Sequence, residues 1–578
     1  MNQQELSIPR PEYPRRQMIR DNWLNLNGLW EFQVDSSLSG EERGLHQEGD
    51  FSETINVPFS PESKLSGINQ KDFLPCVWYR RRFHLPEGWK GKRIFLHFGA
   101  VDYKATVWIN GEKVGTHRGG YVPFSLEISP LLRKEKNLVV VRALDDVRSN
   151  LQPSGKQSPK WKSYKCMYTR TTGIWQTVWL EAVPSTFIQS FRSYPDPDEG
   201  RVMFQVNIDG KTEGLTLNAK TFASGKKVGE RETSARDRVS FGVELSRIHP
   251  WEPDKPFLYD LEFSLKEGKN HVDRVISYFG LRKIEIEGKK VLLNNKPIFQ
   301  RLVLDQGFYP EGIYTAPTDE ALRRDIELSL ACGFNGARLH QKVFEPGFLY
   351  WADKLGYLVW GEYPNWGIDH SHPAALKIVL REWLKVIERD FNHPSIIGWC
   401  PFNETPQSQD PELIRFIYLA TKLMDPTRPV IDTSGYHHVE TDIYDCHNYE
   451  QEPGEFTALF EAFKRNKEPW RNDPEYEVPY QGEPYFVSEY GGTWWNPLQK
   501  DNKVWGYGRR PRTKEEFLER YRKLTETLLF HPKISGFCYT QLYDVEQEVN
   551  GLYTYDRHPK FDSALIRKIN SQKASIEE

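Results

Sequence analysis

Residues 396–404 read IIGWCPFNE, an apolar run that ends in an amide and a carboxylate. Seven further apolar runs lie before and after it, and each is short enough to form one buried strand. The eight runs are residues 298–304, 335–340, 357–363, 396–404, 429–434, 443–449, 485–492 and 534–542. Together they predict the strands of one parallel sheet.

Amphipathic stretches separate these runs and predict helices. Thr318 is suited to cap the first helix, with Asp319 and Glu320 in its opening turn, and Gly333 is suited to close it. Residues 374–390, 411–424 and 513–529 are equally periodic. Eight alternations of strand and helix match a TIM (β/α)8 barrel, which we predict for residues 284–578. A doubly wound sheet is the alternative, but it rarely needs eight repeats.

Two β domains are predicted before the barrel. Residues 1–184 contain short alternating strands such as RIFLHF, and Asn110-Gly111 lies between VWI and EKV. Both of these turn residues tolerate positive φ, so the pair predicts a tight hairpin. Residues 185–283 carry a second series of alternating strands with the length of an immunoglobulin-like sandwich. We therefore predict two β-sandwiches followed by the barrel.

Charge and composition exclude several kinds of partner. The chain has 77 basic and 80 acidic side chains, so neither a nucleic acid nor a membrane surface is expected to bind it. No run approaches the ~18 apolar residues of a membrane-spanning helix. The six cysteines are scattered without zinc-ligand spacing, so no disulfide framework or structural metal is expected. We expect a soluble protein of a reducing compartment, most simply the cytoplasm.

The fourth and seventh apolar runs contain glutamates at strand ends, Glu404 and Glu489. Catalytic side chains of a TIM barrel lie at the carboxyl ends of its strands, and these two strands face each other across the barrel mouth. Cleavage of a glycosidic bond needs two such carboxylates, one that protonates the leaving oxygen and one that attacks the sugar or activates water. The apolar runs before them predict desolvation, which would raise the pKa of the acid.

Other strand ends carry candidate supporting residues. Arg338 could keep Glu489 charged and Tyr449 could donate a hydrogen bond to it. The alternatives are a rim ion pair for Arg338 and a packing role for Tyr449. Aromatic residues near the mouth could stack on a sugar, but many of the 18 tryptophans must belong to the core. These aromatic candidates are Trp360, Trp366, Trp494, Trp495, Tyr539 and Tyr543.

Four stretches of the chain resemble family 2 of the glycoside hydrolases, which includes β-galactosidases, β-glucuronidases and β-mannosidases. They are HPSIIGWCPFNET, FVSEYGG, RTTGIWQTVWLE and VWINGEKVGTHRGGYVPF, and the predicted domain order agrees. The resemblance covers nearly the whole chain and implies that the first domain is a sugar-binding jelly-roll sandwich. It implies Glu404 as acid/base, Glu489 as nucleophile and Asn403 as a ligand of the sugar 2-hydroxyl, with no cofactor. It also implies retention of anomeric configuration, with carboxyl groups about 5–5.5 Å apart.

Three departures from the family's patterns bear on the substrate. Residues 166–170 have no acid where related enzymes place an aspartate, and Asp305 could supply that carboxylate instead. Residues 361–366 lack the acid-and-histidine pattern of the family's magnesium site, so no metal is expected. The Asn-x-Lys of β-glucuronidases is replaced by Asn550-Gly551-Leu552, and Asn502 and Lys503 are adjacent, which disfavours a uronic acid.

We therefore expect an exo-β-glycosidase acting on an oligosaccharide or glycoside, with a β-galactoside as the first candidate. A β-mannoside, arabinoside, β-galacturonide or β-glucuronide would use the same two glutamates. His340, Gln341, His447 and Gln541 are further candidates for sugar contacts, although a lone barrel histidine is more often structural. The rival hypotheses are a non-catalytic carbohydrate-binding protein and a barrel enzyme of other chemistry, and a homo-oligomer is possible.

Overall fold

The structure is a computed structural model that describes residues 8–465, 467–496 and 504–577. Its first domain is an antiparallel sandwich of a four-stranded and a six-stranded sheet. The first sheet consists of Trp23–Asn25, Val178–Val183, Arg93–Phe98 and Phe124–Glu127. The second consists of Glu53–Val57, Gly28–Val34, Cys76–Phe83, Asn137–Leu144, Lys104–Ile109 and Glu112–Arg118. A short pair, Val101–Asp102 with Gly173–Ile174, and 3-10 turns at Glu87–Trp89 and Ser129–Leu131 complete the domain.

The predicted hairpin turn in this domain is confirmed. Asn110 has a φ of 53° and Gly111 a φ of 88°, and the strands on either side of them pair antiparallel. Positive φ at both central residues is the geometry whose twist matches that of the flanking strands.

The second domain is a smaller sandwich of a three-stranded and a four-stranded sheet. The strands are Phe187–Asp196, Arg201–Asp209 and Arg238–Glu244 in one sheet, and Lys226–Ser234, Leu215–Ala223, Tyr259–Glu267 and Asn270–Phe279 in the other. Seven strands in two antiparallel sheets form an immunoglobulin-like arrangement. A short pair, Trp251–Glu252 with Lys255–Pro256, lies within this domain, and the short strands Ile284–Glu287, Lys290–Leu293 and Lys296–Pro297 lead from it to the barrel.

The barrel is formed by parallel strands, seven of which belong to one sheet of the described residues. In chain order these seven are Gln300–Asp305, Gly336–Leu339, Leu358–Glu362, Ile396–Cys400, Tyr444–Asn448, Tyr485–Gly491 and Ile534–Thr540. The predicted fifth strand is Thr433–Tyr436, which pairs with Phe402–Thr405, an extension of the fourth strand. The predicted TIM barrel is therefore confirmed, with its wall between the fourth and sixth strands made by this separate pair.

The helices around the barrel follow the predicted periodicity. They are Asp319–Ala331, Pro346–Leu355, Ala375–Asp390, Pro411–Met424, Pro453–Lys464, Lys514–Leu529 and Ser563–Asn570, with a 3-10 turn at Ser575–Glu577. The side chain of Thr318 caps the first helix by accepting from the backbone N–H of Ala321 at 3.2 Å. No helix among the described residues has both the length and the apolar character to cross a membrane.

The first sandwich and the barrel share one hydrophobic core. Tyr168 packs edge-on against Phe308, with ring centroids 4.9 Å apart, and Trp175 lies 5.3 Å from Tyr314. Because buried aromatic rings contribute large contact areas, this junction holds the sandwich loops over the barrel mouth.

One sandwich loop is bound directly to the barrel loop that follows the third strand. The backbone N–H groups of Ser154 and Gly155 both donate to the carbonyl of Trp366, at 2.8 and 3.1 Å. Gly155 has a φ of 54°, and a Cβ there would lie 2.1 Å from the carbonyl oxygen of Gln341. Only glycine permits this close approach. The first domain therefore contributes to the surroundings of the strand ends.

Candidate active site

Glu489 lies at the end of the seventh barrel strand and is held by two side chains from other strands. Arg338, fully buried on the second strand, donates to its Oε1 at 3.2 Å. The Tyr449 hydroxyl, after the sixth strand, donates to its Oε2, and the Tyr449 ring stacks on Tyr507 at 3.5 Å. Both contacts are hydrogen bonds from donors on other strands, and together they fix the direction of the carboxylate.

Glu404 follows the fourth strand and is more open, with 24% of its side chain exposed. Its backbone has a φ of 47°, an uncommon left-handed conformation for a residue with a side chain. Asn403 beside it is anchored by Asn365, which accepts from its N–H at 3.0 Å. Glu404 also lines a groove with Met167 and Trp366, so its carboxyl group faces a space outside the barrel interior.

His447 bridges the two glutamates. Its Nδ1 lies 3.0 Å from Oε1 of Glu404, and its Nε2 lies 3.5 Å from Oε1 of Glu489 and 3.0 Å from the Ser434 hydroxyl. One oxygen of each glutamate and one nitrogen of His447 all lie within 4.8 Å of one another. This spacing agrees with the shorter of the two separations used by glycosidases, about 5–5.5 Å.

The prediction of a raised pKa for Glu404 is wrong in the structure. Burial alone would raise the pKa of Glu404, but the hydrogen bond and charge of His447, with Lys156 and Arg338 nearby, hold it below its ordinary value. Burial likewise disfavours the charged form of His447, but the charges of Glu489 and Glu404 raise its pKa. In the free protein the pair therefore favours a protonated His447 and an ionised Glu404.

The second-strand residues form a buried ionic network behind Glu489. Arg338 also donates to Oδ1 of Asn403 at 3.0 Å, and its Nε lies 2.7 Å from Glu362. His340 lies 3.0 Å from Glu362 and 3.9 Å from Glu489, and its pKa is lowered by burial and by the nearby Lys156 charge. Asn403 Nδ2 is buried and has no hydrogen-bond partner in the described part of the chain, so it is available to a sugar hydroxyl.

The stretch after the third strand does not fit a metal ion. Its acid, Glu362, is occupied by the guanidinium of Arg338, by His340 and by the backbone N–H of Gln341 at 3.2 Å. The charge that a cation would supply there is already provided by arginine. Gln341 itself donates to Asn365 and accepts from Trp366, so it braces the loop that holds Asn403.

Asp305 has no hydrogen bond or ion pair with Glu404 or Glu489 among the described residues. It is buried, and its Oδ1 accepts from the Tyr543 hydroxyl and from the N–H of Gly307. Burial, together with the charge of Asp325, raises the pKa of Asp305 to about 6. Its Oδ2 is buried and has no hydrogen-bond partner in the described part of the chain, so the suggestion that Asp305 supplies the missing carboxylate stays a prediction.

Three other candidates have no hydrogen bond with Glu404 or Glu489 in the described part of the chain. Trp360 is fully buried and donates to Gln300, so it belongs to the core. Trp495 is 7% exposed and its backbone binds Val549 and Lys560. Gln541 is buried and donates to Asn550 at 2.8 Å, so it orients that side chain. Asn502 and Lys503 lie outside the described residues.

Sequence reasoning missed two charged residues beside the site. Lys156 comes from the first sandwich, is 6% exposed, and places its ammonium 4.3 Å from the centre of the Trp366 ring. Glu548 follows the eighth strand, is 2% exposed, and accepts from the hydroxyl of Tyr168 and from Nδ2 of Asn550 at 2.9 Å. Neither lies at a barrel strand end, so strand-end position carried no signal for them.

Two carboxylates within 4.8 Å across a barrel mouth, one bound by arginine and tyrosine, define the class of the glycoside hydrolases. Family comparisons agree over nearly the whole chain. Matches are found to the glycosyl hydrolases family 2 sugar binding domain at residues 24–184, to a central family 2 domain at 186–282 and to the family 2 TIM barrel domain at 284–574. The chain belongs to family 2 of the glycosyl hydrolases.

Similar proteins carry two different substrate names. A β-galactosidase of Thermoanaerobacter pseudethanolicus is 26% identical over 404 residues, which are 67% of this chain and 52% of that protein, so the chain spans about half of that relative. A β-glucuronidase of Paenibacillus borealis is 24% identical over 96% of this chain and 98% of its own length. The solved β-glucuronidase of Ruminococcus gnavus shares the fold with a TM-score of 0.82, at 20% identity, over 98% of this chain and 99% of its own.

The bridge made by His447 predicts a change in pH dependence when that side chain is replaced. With His447 present, the one proton shared with Glu404 is retained up to the raised pKa of His447. In His447→Asn the proton must stay on Glu404 alone. The ordinary pKa of a glutamate is lower than that of a histidine, so the alkaline limb of the kcat/KM profile should move to lower pH by about one unit or more. A pH series with an aryl glycoside measures this shift.

His437→Asn is the matched control for that experiment. His437 lies 3.6 Å from Asp473 and has no contact with either glutamate among the described residues. Its replacement should leave the alkaline limb in place. An unchanged limb in His447→Asn would show that the histidine does not share the catalytic proton.

Proposed function

We propose that this chain is an exo-β-glycosidase that removes a terminal sugar with retention of anomeric configuration, by way of a covalent glycosyl intermediate. The observation that carries this proposal is the spacing of the two glutamates, with one oxygen of each within 4.8 Å. An enzyme that activates water directly needs room between its carboxyl groups, about 6.5–9.5 Å, whereas a nucleophilic carboxylate needs the shorter distance.

In the first step Glu489 attacks the anomeric carbon while Glu404 protonates the leaving oxygen. Arg338 and Tyr449 direct and stabilise the Glu489 carboxylate, so that one oxygen faces the sugar in a fixed orientation. Before this step the proton shared with His447 has to reside on Glu404. Because the two groups are 3.0 Å apart, that transfer needs no rearrangement of the chain.

In the second step Glu404 removes a proton from water, which attacks the glycosyl ester of Glu489. Esterification removes the negative charge of Glu489, one of the two charges that raise the pKa of His447. Asn403, with its free Nδ2, supports both steps by binding the sugar 2-hydroxyl. Glu404 gives one proton to the leaving oxygen in the first step and regains one from water in the second, so the proton balance closes over the cycle.

Two sugars are candidates for the released residue. A β-galactoside is favoured by the sequence, since the chain lacks the Asn-x-Lys of β-glucuronidases and has relatives named β-galactosidase. A β-uronide is favoured by the buried Lys156 ammonium and by relatives named β-glucuronidase. The two differ in the charge of the group at C6 of the sugar, and a pocket distinguishes them through the charge it presents there.

A panel of 4-nitrophenyl glycosides tests the activity and the sugar together. The panel contains the β-galactoside, β-glucuronide, β-galacturonide, β-glucoside, β-mannoside and α-arabinosides. Turnover of one of them, with a β-configured product seen first by NMR, is the expected result for a β-glycoside substrate. A product that first appears with inverted configuration would overturn the mechanism, and turnover of none by pure folded protein would favour a binding protein.

A further inference from the structure

The Lys156 ammonium is a buried cation with no anion of its own. Among residues 8–465, 467–496 and 504–577 it has no ion-pair partner or hydrogen-bond acceptor, and it lies 4.3 Å from the centre of the Trp366 ring. A buried ammonium with no acceptor is costly to desolvate, so such a group is normally retained for a ligand. The residue is 6% exposed, which makes bulk water a poor substitute for that ligand.

The loop that carries Lys156 is rigidly placed. Its neighbours Ser154 and Gly155 are bound to the Trp366 carbonyl, and the carbonyl of Lys156 accepts from Tyr168 at 2.7 Å. Trp366 in turn donates through its indole to the carbonyl of Asn403 at 3.1 Å, directly beside Glu404. Lys156 is therefore positioned relative to the reacting groups by the barrel itself.

The reacting carboxylates do not need Lys156 as their partner. Glu489 is bound by Arg338 and Tyr449, and Glu404 is bound by His447. Burial alone would lower the pKa of Lys156, but the acidic groups around it raise that pKa. The side chain thus stays charged close to the reacting groups without forming an ion pair with them.

Glu548 supplies the opposite kind of group at the same place. Its two oxygens are oriented by Tyr168 from the sandwich and by Asn550, which is held by Gln541. The adjacent Gln547 donates to the carbonyls of Lys165 and Met167, which joins this barrel loop to the sandwich loop. A cation and a carboxylate therefore lie on two loops that are hydrogen-bonded to each other above the strand ends.

We propose that Lys156 binds the carboxylate of a terminal hexuronic acid, that Glu548 accepts hydrogen bonds from its hydroxyls, and that the released sugar is a uronic acid. This inference rests on the proposed glycosidase function and adds the substrate class. A charge-assisted bond from an ammonium to a carboxylate is about twice as strong as one to a neutral hydroxyl, which favours a uronide over a galactoside.

The test compares wild type with Lys156→Met on three 4-nitrophenyl substrates, the β-glucuronide, the β-galacturonide and the β-galactoside. Wild type should hydrolyse one of the two uronides with a higher kcat/KM than the β-galactoside. Comparison of the two uronides shows which sugar that is. Loss of the ammonium in Lys156→Met should lower kcat/KM for that uronide by about 100-fold more than for the β-galactoside, whose smaller loss follows from the effect of the Lys156 charge on Glu404. Lys160→Met, on the same loop with its exposed ammonium 4.2 Å from the Tyr164 ring, should change neither.

Two results would overturn the inference while the glycosidase function stands. One is a wild type that hydrolyses the β-galactoside and neither uronide. The other is an equal loss on charged and neutral substrates in Lys156→Met, which would make Lys156 a general electrostatic support. Glu548→Gln provides a second variant, expected to lower kcat/KM for whichever uronide is hydrolysed by about tenfold.

Binding measurements decide the inference if no substrate is hydrolysed, an outcome that counts against the glycosidase function. Calorimetric titration of wild type with galacturonate, glucuronate and galactose should show binding of a uronate that exceeds binding of galactose, and its loss in Lys156→Met. Equal or absent binding of all three would overturn the inference. The wild-type titration also serves if Lys156→Met does not fold.

Discussion

Glu489→Gln should lower kcat by about 10⁵-fold on every substrate that the wild type hydrolyses, because an amide oxygen cannot form the glycosyl ester. The substitution keeps the volume of the side chain, and the amide oxygen can still accept from Arg338 or Tyr449. The fold should therefore be maintained while the nucleophile is lost. Steady-state rates with the best aryl glycoside, together with a circular dichroism spectrum, measure both properties.

Glu475→Gln is the matched control, since Glu475 is exposed on the loop before the seventh strand and has no ionic contact in the described structure. It should retain wild-type rates. Residual activity in Glu489→Gln within 100-fold of wild type would contradict its role as the nucleophile. Trapping with a 2-fluoro glycoside and mass analysis should place the label on the peptide that contains Glu489.

Glu404→Ala should produce a loss that depends on the leaving group. For an alkyl glycoside, whose departing oxygen must be protonated, kcat/KM should fall by about 10³-fold or more. For a 2,4-dinitrophenyl glycoside, whose leaving group departs without a proton, kcat/KM should fall by less than about tenfold. Formation of the intermediate then outpaces its hydrolysis, so a burst of dinitrophenol should precede slow turnover.

Azide distinguishes the acid from the base role of Glu404. A small anion needs no general base, and the removed side chain leaves room for it beside the glycosyl ester, so azide should accelerate turnover of the dinitrophenyl glycoside by Glu404→Ala. Glu440→Ala is the control and should behave like wild type, because the Glu440 side chain is 44% exposed and lies 3.6 Å from Arg415 with no contact to either glutamate among the described residues. Equal losses for alkyl and dinitrophenyl glycosides would contradict the assignment of Glu404.

The fold was predictable because its signals are local. Each barrel strand is a short apolar run, and each helix is a periodic stretch with its own cap, as at Thr318, so counting the alternations leads to the barrel. The Asn110-Gly111 turn was predictable for the same reason, since positive φ is a property of these two residues. The pairing of the fifth strand with an extension of the fourth was not, because it depends on contacts distant in sequence.

The grouping of the proposed site residues was largely predictable from strand ends. Glu404, Glu489, Arg338, Tyr449 and His447 come together because parallel strands bring their carboxyl ends to one edge. The direction of the Glu404 pKa was not predictable in this way. Apolar neighbours in sequence indicate burial, but the deciding contact is His447, which lies 43 residues away in the chain.

The amino-acid sequence by itself determined the order of the three domains, the barrel and the two carboxylates at its mouth, since each follows from a repeating pattern along the chain. Only the tertiary structure decided which charged groups surround those carboxylates. Lys156 and Glu548 lie 392 residues apart on irregular loops, and Tyr168 and Gln547 link those loops by hydrogen bonds that no periodicity encodes. Charge recognition depends on distance in space, and across two domains that distance is set by packing.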